Sequence, residues 1–231
     1  MIYITGDLHG ESERLKGNEI KKLKRNDTLI VCGDFGFIWN GSEKEKKILQ
    51  KIGKMKPTIA FIPGCHDNYA LLSEYPEVDF CSGKARHISG NLYELLRGQI
   101  YTIDNKTVFA FGGGISPDSL VREDGISWWK EEAPTEQEFE DAIANLAQHD
   151  NEVDFIVTHD ISSSIKPCID SEHDDGDIDK IHAFFNVIAK NVKFTAWFFG
   201  KYHQDKLIPP RYYAMFQNIL KAPGQDAKKK Q

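Results

Sequence analysis

The sequence predicts an α/β fold with a substantial antiparallel portion, and three observations carry that reading. Strand-like and helix-like segments alternate through the first third of the chain, which implies parallel pairing through right-handed crossovers. Between Ala85 and Gly112, short strand-like runs follow one another across Ser-Gly-Asn, Arg-Gly and Asp-Asn turn signals, which implies antiparallel pairing. The last third returns to helices with one apolar face and short apolar strands.

Taken in order, Ile2 to Thr5 reads as a strand, Ser12 to Lys24 as a helix and Thr28 to Cys32 as a second strand. Ser42 and Glu45 stand at capping-box spacing and open a Lys-rich helix to about Met55, followed by a third strand, Thr58 to Ile62. Ala85 to Ile88, Leu92 to Leu95, Ile100 to Ile103 and Lys106 to Gly112 read as one antiparallel meander. Thr135 and Glu138 form another capping box, with Phe139, Ala142, Ile143 and Leu146 on one helical face behind it. Phe155 to Thr158 is a strand, Ile178, Ile181, His182, Phe185 and Ile188 mark an amphipathic helix, and Thr195 to Phe199 is a further strand. Nothing repeats at a fixed period and no Gly/Ser- or Pro-rich linker divides the chain, so one domain is expected over residues 1–220, with a polar tail over 221–231.

A chain of 231 residues, 40% apolar and 28% charged, has the composition of an ordinary globular protein. At this length a domain buries roughly 70–75% of its unfolded surface, so no disulfide or structural metal is needed and a metal would serve chemistry. Cys32, Cys65, Cys81 and Cys168 lie in no paired spacing, which speaks against a disulfide framework or zinc knuckle. No apolar run approaches the roughly 20 residues of a membrane-spanning helix, and no charged leader precedes the first strand; a cytoplasmic protein with no membrane partner is expected. A formal charge of −6 argues against a broad nucleic-acid-binding face.

Five polar clusters follow five of the strands: Gly6-Asp7-Leu8-His9-Gly10, Gly33-Asp34-Phe35-Gly36, Gly64-Cys65-His66-Asp67, Thr158-His159-Asp160 and Gly200-Lys201-Tyr202-His203. Ligand sites of open α/β sheets form outside the carboxyl ends of strands, so clusters distant in sequence are expected to converge. Asp7 and His9, two apart in an extended segment, project to the same side and offer a carboxylate and an imidazole to one cation. A single Asp-x-His or Gly-Asp is ordinarily a turn or cap; the ordered set of five is not accounted for by capping.

With these residues the sequence resembles the calcineurin-like metallophosphoesterase superfamily, whose motifs run Gly-Asp-x-His, Gly-Asp, Gly-Asn-His-Asp/Glu, His and Gly-His-x-His. The resemblance spans Gly6 to His203. It implies a four-layer α/β/β/α sandwich of two mixed sheets flanked by helices and a two-metal site hydrolysing a phosphomonoester or phosphodiester. It further implies that Asp7, His9, Asp34 and His203 hold a first divalent metal ion, that Asp34 bridges to a second with His159 as a ligand, and that His66, oriented by Asp67, protonates the leaving oxygen or holds the phosphate. Hard carboxylates and borderline imidazoles suit manganese, iron or zinc.

Two positions depart from the motifs, and both fall on the second metal. Cys65 stands where Asn is expected and Lys201 where His is expected. A thiolate ligates soft cations; an ammonium ligates none. The first ligand set is complete and the second is not, so the expectation is a mononuclear enzyme in which Lys201 stands in for the missing cation and pairs with Cys65. The alternative is a catalytically weakened relative that binds a phosphorylated ligand or a protein partner. Arg122, behind Gly112-Gly113-Gly114, is a candidate phosphate clamp, although a tight loop at a strand end explains the glycines more simply. Asp170 to Asp179 invites a calcium-loop reading but fails its pattern, and Cys32, His149 and His182 read as structural.

Overall fold

A computed structural model describes residues 1–116, 121–169 and 179–225. Thirteen strands fall into two sheets among the described residues. The first holds β1 (Ile2–Thr5), β2 (Thr28–Cys32), β3 (Thr58–Ile62), β4 (Glu77–Phe80), β5 (Gly83–Ser89), β6 (Leu92–Leu95) and β13 (Leu220–Lys221), in the order β13-β1-β2-β3-β6-β5-β4. The second holds β7 (Gln99–Ile103), β8 (Lys106–Phe111), β9 (Phe155–Thr158), β10 (Ala196–Phe199), β11 (Lys206–Ile208) and β12 (Tyr212–Ala214), in the order β11-β12-β10-β9-β8-β7. Each sheet has a parallel centre, β1-β2-β3-β6 in one and β12-β10-β9-β8 in the other, with antiparallel strands at its margins.

Strand alternation sorts the apolar side chains into three cores, and the cores define the layers. Ile2, Ile4, Ile30, Cys32 and Ile62 of the first sheet meet Tyr101, Val108, Phe155, Val157 and Phe198 of the second, so the two sheets pack face to face. On the outer face of the first sheet, Leu29, Val31, Ile59 and Phe61 pack against Ile20 of α1 (Asn18–Lys22) and Leu49 and Ile52 of α2 (Glu43–Gly53). On the outer face of the second, Phe109, Phe111, Trp197 and Phe199 pack against Phe139 and Leu146 of α4 (Glu136–Ala147) and Ile181, Phe185 and Ile188 of α5 (Lys180–Asn191). A short α3 (Tyr69–Ser73) follows the third strand. This is the α/β/β/α sandwich of two mixed sheets.

Three local expectations are corrected. The helix expected from Ser12 to Lys24 is a 3₁₀ turn, Arg14–Lys16, and the five-residue α1, because Gly17 takes an extended backbone between them. The meander is divided: β5 and β6 join the first sheet, β6 parallel to β3, and β7 and β8 join the second, the chain crossing at Leu96, Arg97 and Gly98. Residues 220–225, across which the polar tail was expected to begin, add a strand beside β1 and bury Gln225, whose Oε1 accepts the Ile2 amide at 2.7 Å.

Candidate metal centre

Both parallel centres end on the same side of the molecule. The ends of β1, β2 and β3 deliver Asp7 and His9, Asp34, and Cys65 to Asp67, while β9 and β10 deliver His159, Asp160, Lys201 and His203. His9 (φ 46°), Asp34 (φ 39°), Lys201 (φ 67°) and His203 (φ 50°) all occupy the left-handed region, uncommon for non-glycine residues and enriched in Asp and His. Gly33, at φ 99°, admits no side chain, since a Cβ there would run into the His159 ring. A Cβ on Gly64 would likewise strike the Asp34 carboxylate, so these glycines let ligands from different strands close on one another.

Asp7, His9 and His203 form the first candidate ligand group. The Nε2 atoms of His9 and His203 face each other at 2.9 Å, Asp7 Oδ2 lies 3.5 Å from His203 Nε2, and Asp34 Oδ2 lies 3.9 Å from His9 Nε2. Asp7 is fully buried, its Oδ2 accepts the Lys201 backbone amide at 2.7 Å, and its Oδ1 has no hydrogen-bond partner. A buried carboxylate oxygen without a hydrogen bond, faced at 3.4 Å by His159 Nδ1 and lying beside two convergent imidazole nitrogens, fits a cation. Burial holds His203 below the ordinary imidazole range, with Asp7 opposing and His9 assisting, which favours the neutral ring a cation requires.

Asp34, Cys65 and His66 form the second group, and His159 closes it from the other sheet. Cys65 Sγ lies 3.4 Å from His159 Nε2 and 3.4 Å from His66 Nδ1. His159 is fully buried between the two carboxylates, with Nδ1 at 3.4 Å from Asp7 Oδ1 and Nε2 at 3.6 Å from Asp34 Oδ1. Burial raises the pKa of Asp34, but the charge of His159, the hydrogen bond and charge of His66 and the charge of His9 outweigh it and hold the carboxyl well below its usual range. Burial lowers His159, yet Asp34 and the other acceptors around it outweigh that too and hold it well above the imidazole range. Imidazoles thus share protons with carboxylates in a buried cluster whose donor types suit a divalent cation.

His66, 37% exposed in its side chain, bonds through Nδ1 to Asp34 Oδ2 at 2.9 Å, and its amide donates to Asp34 Oδ1 at 2.8 Å. The orientation that the resemblance assigns to Asp67 is therefore supplied by Asp34. Asp67 instead accepts the amides of Phe35, Gly36 and Gly64 at 3.1, 2.8 and 2.9 Å, fastening the loop after β2 to the loop after β3. Lys201 does not pair with Cys65 as expected: its ammonium donates to Asp160 Oδ2 at 2.6 Å and to the Ile115 carbonyl at 3.1 Å. Asp160 was legible only as the neighbour of His159; it also accepts Tyr202 Oη at 2.6 Å and lies 3.2 Å from His182 Nε2. Arg122, 8% exposed in its side chain, donates through Nη1 to the Cys65 carbonyl at 3.1 Å and to Ser116 Oγ at 2.6 Å, so it anchors the backbone of the cysteine.

The amides of Gly113 and Gly114 donate to the carbonyls of Pro63 and Glu132, as a tight loop requires. Trp128 bonds to Glu132 Oε1 at 2.8 Å and Trp129 packs edge-on against Trp39. Residues 170–178, most of the acidic stretch, lie outside the described residues. Sequence reasoning missed the supports of the first group. Arg14 donates to the carbonyls of Asp7 and Phe216, the Phe216 ring stacks on His203 with centroids 4.8 Å apart, and Asp205 accepts the amides of Phe216, Gln217 and Asn218.

A family model described as calcineurin-like phosphoesterase matches residues 1–205. Among solved structures, the phosphopantetheinyl hydrolase of Mycobacterium tuberculosis is similar at 12% identity, over 93% of this chain and 89% of that one, with a TM-score of 0.47. No curated protein matches significantly.

Proposed function

The chain belongs to the calcineurin-like phosphoesterase family, and from that premise we propose that it hydrolyses a phosphomonoester or phosphodiester of a small molecule in a reaction that depends on divalent metal. The observation that carries this reading is the convergence, at the ends of five strands, of Asp7, His9 and His203 with Asp34, Cys65 and His159, around a buried carboxylate oxygen that makes no hydrogen bond. Asp7, His9, His203 and Asp34 would hold one cation of the manganese, iron or zinc type, and Asp34, Cys65 and His159 a second. Bound there, cations polarise phosphoryl oxygens and make a water nucleophilic at neutral pH, which removes the need for a protein nucleophile.

The chain's own residues then have defined tasks. Asp34 faces both groups and holds them in register. His66 is half-exposed at the mouth with Nδ1 tied to Asp34, and its ring would act on the leaving-group oxygen. The hydrogen bonds to Asp34 and Cys65 push His66 up to about 11, with burial opposing, so it carries a proton to give; sharing Asp34 with a cation weakens that hold and eases the release. Lys201, paired with Asp160 and bonded to the Ile115 carbonyl, fixes the loop after β10 that carries His203. The position of Cys65 and Lys201 also supports a second reading, a weakened relative that retains a phosphorylated ligand without turning it over.

The test is turnover of an aryl phosphate and its diester by metal-loaded protein beside an Asp34→Asn control. Hydrolysis of one of them that chelator removes and Asp34→Asn lacks is the expected result. Metal-loaded protein inert to both, yet binding a phosphate analogue, would favour the second reading.

A further inference from the structure

We propose that Cys65 makes the second position a thiolate site, at which Cys65, His159 and Asp34 select a borderline-soft divalent cation such as zinc, iron(II) or cobalt(II). The inference rests on the metal-dependent reading above and goes beyond it in naming the ligand that sets the metal. It departs from the mononuclear site expected on the sequence alone, because Lys201 is engaged elsewhere.

Geometry is the first support. Bonds of about 2.0–2.3 Å to nitrogen, oxygen and sulfur in a tetrahedral site place neighbouring donor atoms roughly 3.3–3.6 Å apart. Cys65 Sγ to His159 Nε2 is 3.4 Å and His159 Nε2 to Asp34 Oδ1 is 3.6 Å, while the sulfur and an Asp34 oxygen lie within 4.8 Å. Three protein donors leave one position open, as in sites where a cation does chemistry. The second support is the fixing of the donors. His159 Nδ1 lies 3.3 Å from the Cys32 carbonyl and 3.4 Å from Asp7 Oδ1, which would keep the proton on Nδ1 when a cation displaces the one on Nε2. Arg122 grips the carbonyl of Cys65 itself, and the cysteine is only 3% exposed.

Charge is the third. An ammonium at the place of a metal ligand would repel a cation, but Lys201 is drawn onto Asp160, whose other oxygen is held by Tyr202 and faces His182. The carboxylate offsets the ammonium, so Lys201 does not bar a cation from the sulfur, which His66 and His159 face at 3.4 Å each. The first group contains no sulfur, so the two positions differ in softness.

The experiment is a titration of chelator-stripped protein with cobalt(II) alone, without oxygen, in a Cys81→Ser, Cys168→Ser background that removes the two exposed thiols. Two equivalents are expected to bind, one of them bringing a near-ultraviolet thiolate-to-cobalt charge-transfer band that the other lacks. Cys65→Ser should abolish the band and weaken its equivalent by at least the roughly 10–100-fold that loss of a supporting partner alone costs; Cys65→Asn should also lack the band. X-ray absorption of the background protein with two equivalents of zinc reads the site without touching Cys65. A sulfur neighbour at about 2.3 Å is expected, and a shell of nitrogen and oxygen alone would overturn the proposal. So would two equivalents without the band. Binding that stops at one bandless equivalent while phosphoester turnover persists would overturn the thiolate site and leave the phosphoesterase reading standing; no binding at all would remove both.

Discussion

The two ligand groups sit side by side at the same strand ends and are built in opposite ways. The first has half-exposed imidazoles, with His9 and His203 at 34% and 37% side-chain exposure over a fully buried Asp7. Their order comes from outside the motifs, through Arg14, Phe216 and Asp205. The second keeps Asp34, Cys65 and His159 buried with His66 half-exposed at the mouth, and is ordered by Asp67, Arg122 and the close packing of His159 against Gly33. The ammonium of Lys201 beside it is offset by Asp160. The difference shows that a substitution at a ligand position changes a site according to what its neighbours absorb: the same lysine without Asp160 would expel a cation.

Replacing the residue common to both groups should have the largest effect. Asp34→Asn is expected to release metal from both positions and to lower turnover by a factor of about 10⁴ or more, the several kcal/mol that cation stabilisation of a phosphoryl group supplies; mass spectrometry of bound metal and initial rates read the two losses. Asp7→Ala, His9→Ala and His203→Ala should each empty only the first position and carry hydrolysis away with it. Unchanged metal content in all three would dissolve the distinction between the groups. His66→Ala should keep both metals and lose roughly 10²–10⁴ in rate, least for substrates with very good leaving groups. Equal losses across leaving groups would assign His66 to positioning.

Smaller effects fall on the support of Lys201. Asp160→Asn should leave the first position intact and weaken the second on the order of 10–100-fold, seen as a shift in the second step of a metal titration. His182 reports on the same carboxylate. Burial lowers its pKa, but Asp160 and Asp179 outweigh that and raise it to about 9, so its contribution to stability is complete below the ordinary histidine range and is lost as pH rises through about 9. Thermal or urea unfolding from pH 6 to 10 should show the loss, up to roughly 3 kcal/mol from the size of the shift, and His182→Gln should flatten it. A profile unaltered by that substitution would detach His182 from the network.

What was legible in the chain was local or periodic. Asp7 and His9, Cys65 and His66, and Lys201 and His203 announce themselves because each group is contiguous and follows an apolar strand, and the layers follow from strand alternation and the helical faces of α4 and α5. What depends on partners far apart was not. The separation of Lys201 from Asp160 by 41 residues hides their ion pair, and the 32 residues between His66 and Asp34 hide the real partner of the imidazole behind the adjacent Asp67. The division of the meander was hidden for a related reason: turn signals mark where a strand ends, while the choice of sheet is made by which core accepts its side chains. Leu95 and Tyr101, on either side of the crossing, enter the same inter-sheet core from opposite sheets.

The claim that this cluster is a metal-dependent phosphoesterase site with two unlike positions is tested most directly by returning metal to stripped protein one equivalent at a time while following hydrolysis of an aryl phosphate and its diester. Turnover of one substrate should appear as the first position fills, change again as the second fills, and be missing from Asp34→Asn at every loading. Hydrolysis that is indifferent to metal, or that survives undiminished in Asp34→Asn, would contradict the account.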